Sequence, residues 1–231
     1  MSDAAKPNPL LELAITLLIP ALILMKLSGP EDLGAVNALL LALSFPLFWG
    51  IRDFWNRRKV NLFAALGLVS TLLTGGIGVL ELDTQWLAVK EAAVPGLIGL
   101  AVLISTYTRY PLVRTILLNP AMVDVGLLRE KLESHGASQA FETRLLKASW
   151  MLSSTFFFSS AMNYFLATYI VVSPAGTPEF NAELGRLTLL SYPFIALPSM
   201  AMMVFIIYYL SRTTRELTGL SFTDFMNVAK E

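Results

Sequence analysis

Two long apolar runs between basic clusters constrain this chain more than any other feature. The runs cover 60–80 and 86–107, and a short acidic turn at 81–83 separates them. A helix of about 20 apolar residues crosses about 30 Å of hydrocarbon, so each run is long enough to span a membrane. Basic clusters lie before the pair, at 52–59, and after it, at 109–114. Because basic residues mark cytoplasmic loops, this stretch predicts a membrane hairpin whose acidic turn lies outside.

The remaining apolar stretches repeat this plan. The predicted fold class is all-α, a polytopic membrane protein whose six transmembrane helices form three hairpins in a single membrane domain. The predicted spans are 10–27, 35–51, 60–80, 86–107, 149–172 and 187–210. Composition agrees, since 55% of the residues are hydrophobic and 15% are charged, against about 45–50% and about 25% in soluble domains. The first run contains Glu12 and lacks a cleavage pattern, which predicts an uncleaved helix.

Lysines and arginines are sorted to one side of this predicted bundle. Of the 17 basic residues, all except Lys26, Lys90 and Arg186 lie in segments assigned to the cytoplasm. The positive-inside rule therefore predicts that the N- and C-termini are both cytoplasmic. The cytoplasmic-face basic residues nearest to lipid are Arg52, Arg57, Arg58 and Lys59. Such a run attracts anionic inner-leaflet lipid, although it is more often an orientation signal than a binding site.

Residues 117–148 form the only long polar stretch. Met122, Val125, Leu128 and Leu132 recur at three- and four-residue spacing, which is typical of an amphipathic helix. The stretch predicts a cytoplasmic amphipathic linker that lies on the bilayer surface or under the bundle.

Several classes of function have no support in the residues. The chain has no cysteine and one histidine, His135, which excludes thiol chemistry and argues against a metal centre. It carries no phosphate loop and no nucleophile elbow. We therefore expect no enzyme activity, no catalytic residue, no cofactor and no metal. Seventeen acidic residues balance the seventeen basic ones, so nucleic acid is not an expected partner. The expected partners are the lipid bilayer and either other membrane proteins or a second copy.

A few polar side chains within the predicted spans, or beside one of them in the case of Arg186, form a candidate intramembrane site. They are Lys90, Glu91, Asn163, Tyr164, Arg186 and Asn37. Ionisable groups at membrane depth are costly and usually face protein or water. Lys90 has two interpretations, a grip on an anionic headgroup or a side chain that extends to the outer headgroups. Asn163 is either part of a ligand site or a hydrogen-bonding contact between helices.

The three predicted hairpins share a pattern that suggests an internal repeat. Each turn holds two acidic residues, and each second helix holds a proline, Pro46, Pro95 or Pro193. Repeats of this kind occur in transporters, where the substrate site lies at the repeat interface. They also arise in structural bundles without any transport site.

Several motifs resemble the septation protein A (intracellular septation) family of bacterial inner-membrane proteins. They are the aromatic and basic run from Trp49 to Val60, Thr74-Gly75-Gly76, the acidic turn leading to Trp86 and Lys90, the exit at 109–113, Leu146 to Trp150, and Asn163-Tyr164. The resemblance implies a multi-pass protein of the cell inner membrane. It further implies a role in envelope integrity or division through partner proteins, and it supplies no catalytic residues.

Two functional hypotheses follow. The first is a non-enzymatic inner-membrane protein that supports the cell envelope or septation through helix–helix and lipid contacts. The alternative is a small transporter or lipid translocator with a site at the repeat interface near the outer face. A water-accessible cavity that touches the candidate polar residues would favour the alternative.

Overall fold

The computed structural model describes residues 17–57, 62–108, 111–117, 123–220 and 222–225. Within these ranges, the side chains of 53–57, 62–68, 115–117 and 222–223 are left out of the description. Every element of the described chain is a helix, which confirms the predicted all-α class.

The helices differ greatly in length. They are α1 (Ile19–Lys26), α2 (Ala35–Arg57), α3 (Leu62–Val79), α4 (Gln85–Ser105), α5 (Leu112–Leu117), α6 (Val125–Ser134), α7 (Ser138–Ile170), α8 (Pro178–Ser191) and α9 (Leu197–Thr218). A π-helical turn at Tyr192–Ala196 joins α8 to α9, and a short 3₁₀ turn covers Phe222–Phe225.

Local capping residues explain several helix ends. Thr177 accepts a hydrogen bond from the Phe180 N–H at the start of α8, where proline follows as the first helical residue. Asp124 caps α6 in the same way, by accepting from the Leu127 N–H. Gly219 ends α9 in the left-handed conformation, which glycine adopts without steric cost. These ends are therefore encoded by one or two residues each.

The chain divides into two compact units. The first unit comprises Met1–Val94 and Ala161–Ile195. In it, α1 packs against α2 and α8, and α2 packs against α3. Leu39, Leu87 and Phe180 are fully buried in its core.

Three loops lie together at one end of the first unit. The Asn181 side chain, on α8, donates hydrogen bonds to Ser28 Oγ at 3.0 Å and to the Ala35 carbonyl oxygen at 2.7 Å. A Cβ atom on Gly176 would lie 2.8 Å from the Glu81 side chain, so the loops around these two residues also touch. This end carries acidic residues from the first two loops and from the first turns of α8. They are Glu31, Asp32, Glu81, Asp83, Glu179 and Glu183.

The second unit comprises Pro95–Ser160 and Ala196–Glu231. Its core joins Leu128 and Leu132 of α6 to Leu145 of α7 and Leu210 of α9. The apolar stripe of the predicted linker is thus covered by protein, because Leu128 and Leu132 are buried. Met122, the first residue of that stripe, lies outside the described residues.

Three helical stretches of the described chain are long and apolar enough to cross a membrane. They are Ala35–Arg52, Gln85–Ser105 and Pro178–Thr218, and a shorter apolar helix covers Val69–Val79. Large apolar side chains on these helices, such as Leu97 and Val204, are more than half exposed. Extensive exposed apolar surface marks contact with lipid or another protein. The chain is therefore of the membrane-protein class.

Two helices extend beyond the predicted spans. The α7 helix begins at Ser138, within the predicted linker, and continues to Ile170 without a break. The predicted span 187–210 is the middle of a continuous helical stretch from Pro178 to Thr218. Pro193 lacks an N–H group, and the π-helical turn that contains it accommodates the missing hydrogen bond. The predicted residues 10–16 and 60–61 lie outside the described residues.

Candidate intramembrane site

Lys90 and Glu91 lie on the second turn of α4. At about 1.5 Å per residue, Lys90 is about 8 Å from the first residue of this helix. Its ammonium forms an ion pair with Glu91 Oε1 at 2.7 Å, and the two side chains are 8% and 30% exposed. The Lys90 side chain is therefore turned into the protein, and Glu91 is the more accessible member of the pair.

Two hydroxyl groups of α3 complete the surroundings of Lys90. The Nζ atom donates to Thr74 Oγ1 at 2.6 Å and to Ser70 Oγ at 3.2 Å, and the Ser70 carbonyl oxygen is a longer acceptor at 3.5 Å. Ser70 and Thr74 are four residues apart, which places them on the same helix face. An ammonium group has three N–H donors, and these two hydroxyls together with Glu91 use all three. A side chain that extended to the outer headgroups would leave these hydroxyls without the ammonium.

Ser70 and Thr74 are not among the candidate site residues that the sequence predicted. The available signal was a pair of hydroxyl side chains at i and i+4 within an apolar helix. Such residues usually bond to the backbone of their own helix, and Thr74 Oγ1 does donate to the Ser70 carbonyl oxygen at 3.0 Å. Their hydrogen bonds to Lys90 require α4 to pack against this face of α3. The spacing of residues within α3 does not determine which helix packs there.

A cavity of about 340 Å³ in the first unit brings several of these groups together. Its polar lining residues are Ser70, Thr71, Thr74, Lys90, Glu91, Asn163, Thr188 and Ser191. Its apolar lining residues include Leu24, Leu39, Leu43, Leu184 and Leu187. Ligand sites commonly have volumes of about 300–1,000 Å³ and combine a mostly apolar lining with a few polar groups. The cavity therefore has the size and the mixed lining of a site for a small amphipathic molecule.

Prolines are concentrated around this cavity. Pro20 and Pro46 line it, and Pro193 follows the lining residue Tyr192. A proline within a helix cannot donate to the carbonyl oxygen four residues earlier. Pro95 therefore provides no N–H for the carbonyl oxygen of Glu91. Irregular helical backbone is tolerated at membrane depth where it lines a cavity.

The structure places the six predicted polar residues in different surroundings. Asn163 lines the cavity together with Lys90 and Glu91. Tyr164, its neighbour on α7, is 49% exposed. Arg186 is exposed on α8, and Asn37 is exposed on α2, where its amide donates to the Leu33 carbonyl oxygen at 2.9 Å. Three of the six residues thus share one cavity.

The predicted basic run is described only at its start. Arg52 is exposed, and its guanidinium lies 5.2 Å from the ring centroid of Trp49 in a cation–π contact. The side chains of Arg57, Arg58 and Lys59 lie outside the described residues.

The second unit contains two further cavities. One, of about 370 Å³, is lined by residues of α5, α6 and α7 and carries the ion pairs Arg114–Glu142 and Arg129–Glu133. The other, of about 540 Å³, is almost entirely apolar and includes Trp150 and Phe205. Neither holds a buried charged group comparable to Lys90. Within the described ranges, no group of three or more histidine or acidic residues could hold a metal ion.

Comparison of the chain with family models, curated proteins and solved structures found no match. The resemblance to the septation protein A family therefore stays a prediction.

Proposed function

We propose that this chain is a multi-pass inner-membrane carrier for a small amphipathic molecule, which binds in the cavity of the first unit. The single observation that carries the proposal is the Lys90–Glu91 ion pair, which lines a cavity of about 340 Å³. A charged pair within an apolar helix is expensive and marks a functional site by default. The role corresponds to a transporter or lipid translocator whose site lies near the outer face.

The proposed topology has six spans in three hairpins, with both termini cytoplasmic. It is supported by the acidic end of the first unit, which matches the predicted outer loops. It is also supported by exposed aromatic residues on α7, where Trp150 is 50% and Tyr169 75% exposed. Tryptophan and tyrosine are enriched where membrane helices meet the two interfaces.

Thiol labelling tests the carrier proposal without knowledge of the substrate. The chain contains no cysteine, so one introduced thiol is a unique reporter. We expect Ser191→Cys, in the cavity, to react with a membrane-impermeant methanethiosulfonate reagent added to either face of proteoliposomes. Val204→Cys is the control, because an exposed apolar position on α9 should face lipid and stay unreacted. A cavity thiol protected from both faces would contradict the proposal.

A second candidate is the non-enzymatic role in envelope integrity or division through helix–helix and lipid contacts. One observation favours it, namely that all three Lys90 donors have partners within the protein. Such a cluster can act as a polar contact that fixes the packing of α3 on α4. This candidate predicts that Lys90→Met changes photo-crosslinking to membrane partners in native membranes. Movement of solute or lipid by the purified, reconstituted protein would eliminate it.

A further inference from the structure

We infer that the cavity binds an apolar monocarboxylic acid together with its proton, with the carboxylate at Lys90 and the proton on Glu91. This inference rests on the proposed carrier function and names its substrate class. Three observations support it: the cavity carries little net charge, the N–H donors of Lys90 already have acceptors, and leucine side chains are part of the lining.

The charges around the cavity are few. Among the described lining residues, Lys90 and Glu91 are charged and Tyr192 is the other titratable group. The α3 helix contains no charged residue, and neither does 161–170 of α7. The remaining charged side chains on the surrounding helices, apart from those of 53–57, lie away from the lining. They are Lys26 at the end of α1, Arg52 on α2, and Glu179, Glu183 and Arg186 on α8. The cavity therefore has a net charge close to zero.

A bare anion does not fit this charge balance. The Lys90 donors are used by Thr74, Ser70 and Glu91, so a new anion must replace one of these three acceptors. Displacement of Glu91 would leave two negative groups beside one ammonium. An uncompensated charge at low dielectric is costly, because burial disfavours the charged form. A carboxylate therefore needs a proton to accompany it.

A protonated carboxylic acid supplies both the carboxylate that Lys90 binds and the proton that compensates its charge. Its O–H proton moves to Glu91 Oε1, which breaks the Glu91–Lys90 ion pair and leaves Glu91 neutral. The new carboxylate then accepts a hydrogen bond from Lys90 Nζ, which keeps its bonds to Thr74 and Ser70. The proton is only relocated, and the net charge of the cavity does not change.

The apolar lining residues provide contacts for the hydrocarbon part of such an acid. Leu39, Leu43 and Leu187 are among them, and burial of the ligand's apolar surface against them favours binding. An alkylamine would add a second cation beside Lys90. An alcohol of the same length has no acidic proton to transfer and cannot form an ion pair. The cavity should therefore discriminate among chains of equal length by their polar end.

Calorimetric titration with hexanoate tests this inference. The full chain in lipid nanodiscs is titrated with hexanoate, hexylamine and hexanol, with empty nanodiscs as the blank. Repetition in buffers of different ionisation enthalpy measures the protons taken up per ligand. We expect hexanoate to bind with uptake of about one proton, so that its affinity falls as the pH rises, by up to about tenfold per pH unit.

Three variants identify the groups involved. Glu91→Gln mimics the protonated carboxyl group, so it should bind hexanoate without proton uptake and with little pH dependence. Lys90→Gln should lose at least tenfold in hexanoate affinity. Tyr192→Phe should keep the proton uptake, and Arg186→Gln is the matched control for a basic residue outside the cavity. Proton uptake that persists in Glu91→Gln would overturn the assignment.

The outcomes separate this inference from the carrier proposal. If hexanoate fails to bind, or if only hexylamine or hexanol binds, the carboxylic acid inference is wrong. The carrier proposal then still stands if Ser191→Cys is labelled from both faces. Protection of that thiol from both faces, together with no binding of any of the three probes, would contradict both the carboxylic acid inference and the carrier proposal.

Discussion

At the scale of single residues, the cluster around Lys90 joins one helix to its neighbour. The ammonium lies between a carboxylate of its own helix and two hydroxyls of α3. Hydrogen bonds to a charged group contribute about 1.5–3 kcal/mol in folded proteins, whereas bonds within membranes average about 0.6 kcal/mol. The cluster should therefore stabilise the contact between α3 and α4 to a measurable extent.

Thr74→Val tests that contribution at nearly constant volume. We expect the free energy of unfolding to fall by about 1 kcal/mol, since the 2.6 Å bond from Lys90 is lost. Thr168→Val is the control, because its hydroxyl is exposed and bonds only to its own helix. Reversible unfolding in mixed detergent micelles measures both values. Equal effects of the two substitutions would argue against a role for Thr74 in holding Lys90.

Lys90→Met tests the ion pair. It should cost about 2–3 kcal/mol of unfolding free energy, because Glu91 then lacks its ion-pair partner. The double variant Lys90→Met with Glu91→Gln should recover at least half of this loss. Unfolding of the two variants under the same conditions provides the comparison. A double variant as unstable as the single one would show that the pair is not coupled.

At the scale of helices, the close approach of α8 to α1 depends on one glycine. A Cβ atom on Gly185 would lie 2.8 Å from the Ala21 carbonyl oxygen and 2.6 Å from Met25 Cγ. The side chain of Met25 can move, but the backbone oxygen of Ala21 can do so only if the helices separate. This contact holds together two helices that line the cavity.

Gly185→Ala should therefore destabilise the protein by about 1–3 kcal/mol, as overpacking commonly does. It should also change the accessibility of the cavity, measured as the labelling rate of Ser191→Cys in the same background. Gly76→Ala is the control, because a Cβ atom there has no neighbour within 4 Å. That control should be neutral or slightly stabilising, since alanine favours helix. Similar losses for the two substitutions would contradict the packing argument.

Hydrophobic periodicity and turn residues predicted where helices occur better than where each helix begins and ends. The helical class followed from the apolar runs, and the turn between the predicted spans 10–27 and 35–51 agrees with its Gly-Pro-Glu-Asp sequence. The continuity of α7 was not predictable, because polar residues such as Glu142 and Arg144 resemble a boundary while forming ion pairs on a helix surface. The π-helical turn at 192–196 was likewise hidden, since a proline indicates a distortion without its type.

The sequence selected the two residues of the ion pair, and it predicted few of the other residues of the candidate site. Charge at membrane depth singled out Lys90 and Glu91, and polarity singled out Asn163. The same criterion also selected Arg186 and Asn37, which the fold places on exposed helix surfaces. Single-sequence periodicity does not specify which helix faces are opposed. For that reason neither the placement of the α3 hydroxyls beside Lys90 nor the leucines that line the cavity could be predicted from the sequence.

At the scale of the whole molecule, the proposed topology assigns each loop to one side of the membrane. Glu31→Cys in the first loop and Ser134→Cys at the end of α6 are both at exposed positions. We expect an impermeant thiol reagent to modify Glu31→Cys in intact cells, and Ser134→Cys only after permeabilisation. The positive-inside rule is the reason. Modification of both thiols in intact cells would refute the six-span arrangement.

The neutral ion pair in the cavity has an electrical consequence. Movement of one elementary charge across a membrane exchanges about 2.3 kcal/mol with each 100 mV of potential. If the empty and the loaded cavity carry the same net charge, that potential does no work on the exchange between them. Such a protein would act identically in energised and depolarised cells, and only the pH difference and the solute gradient would set its direction.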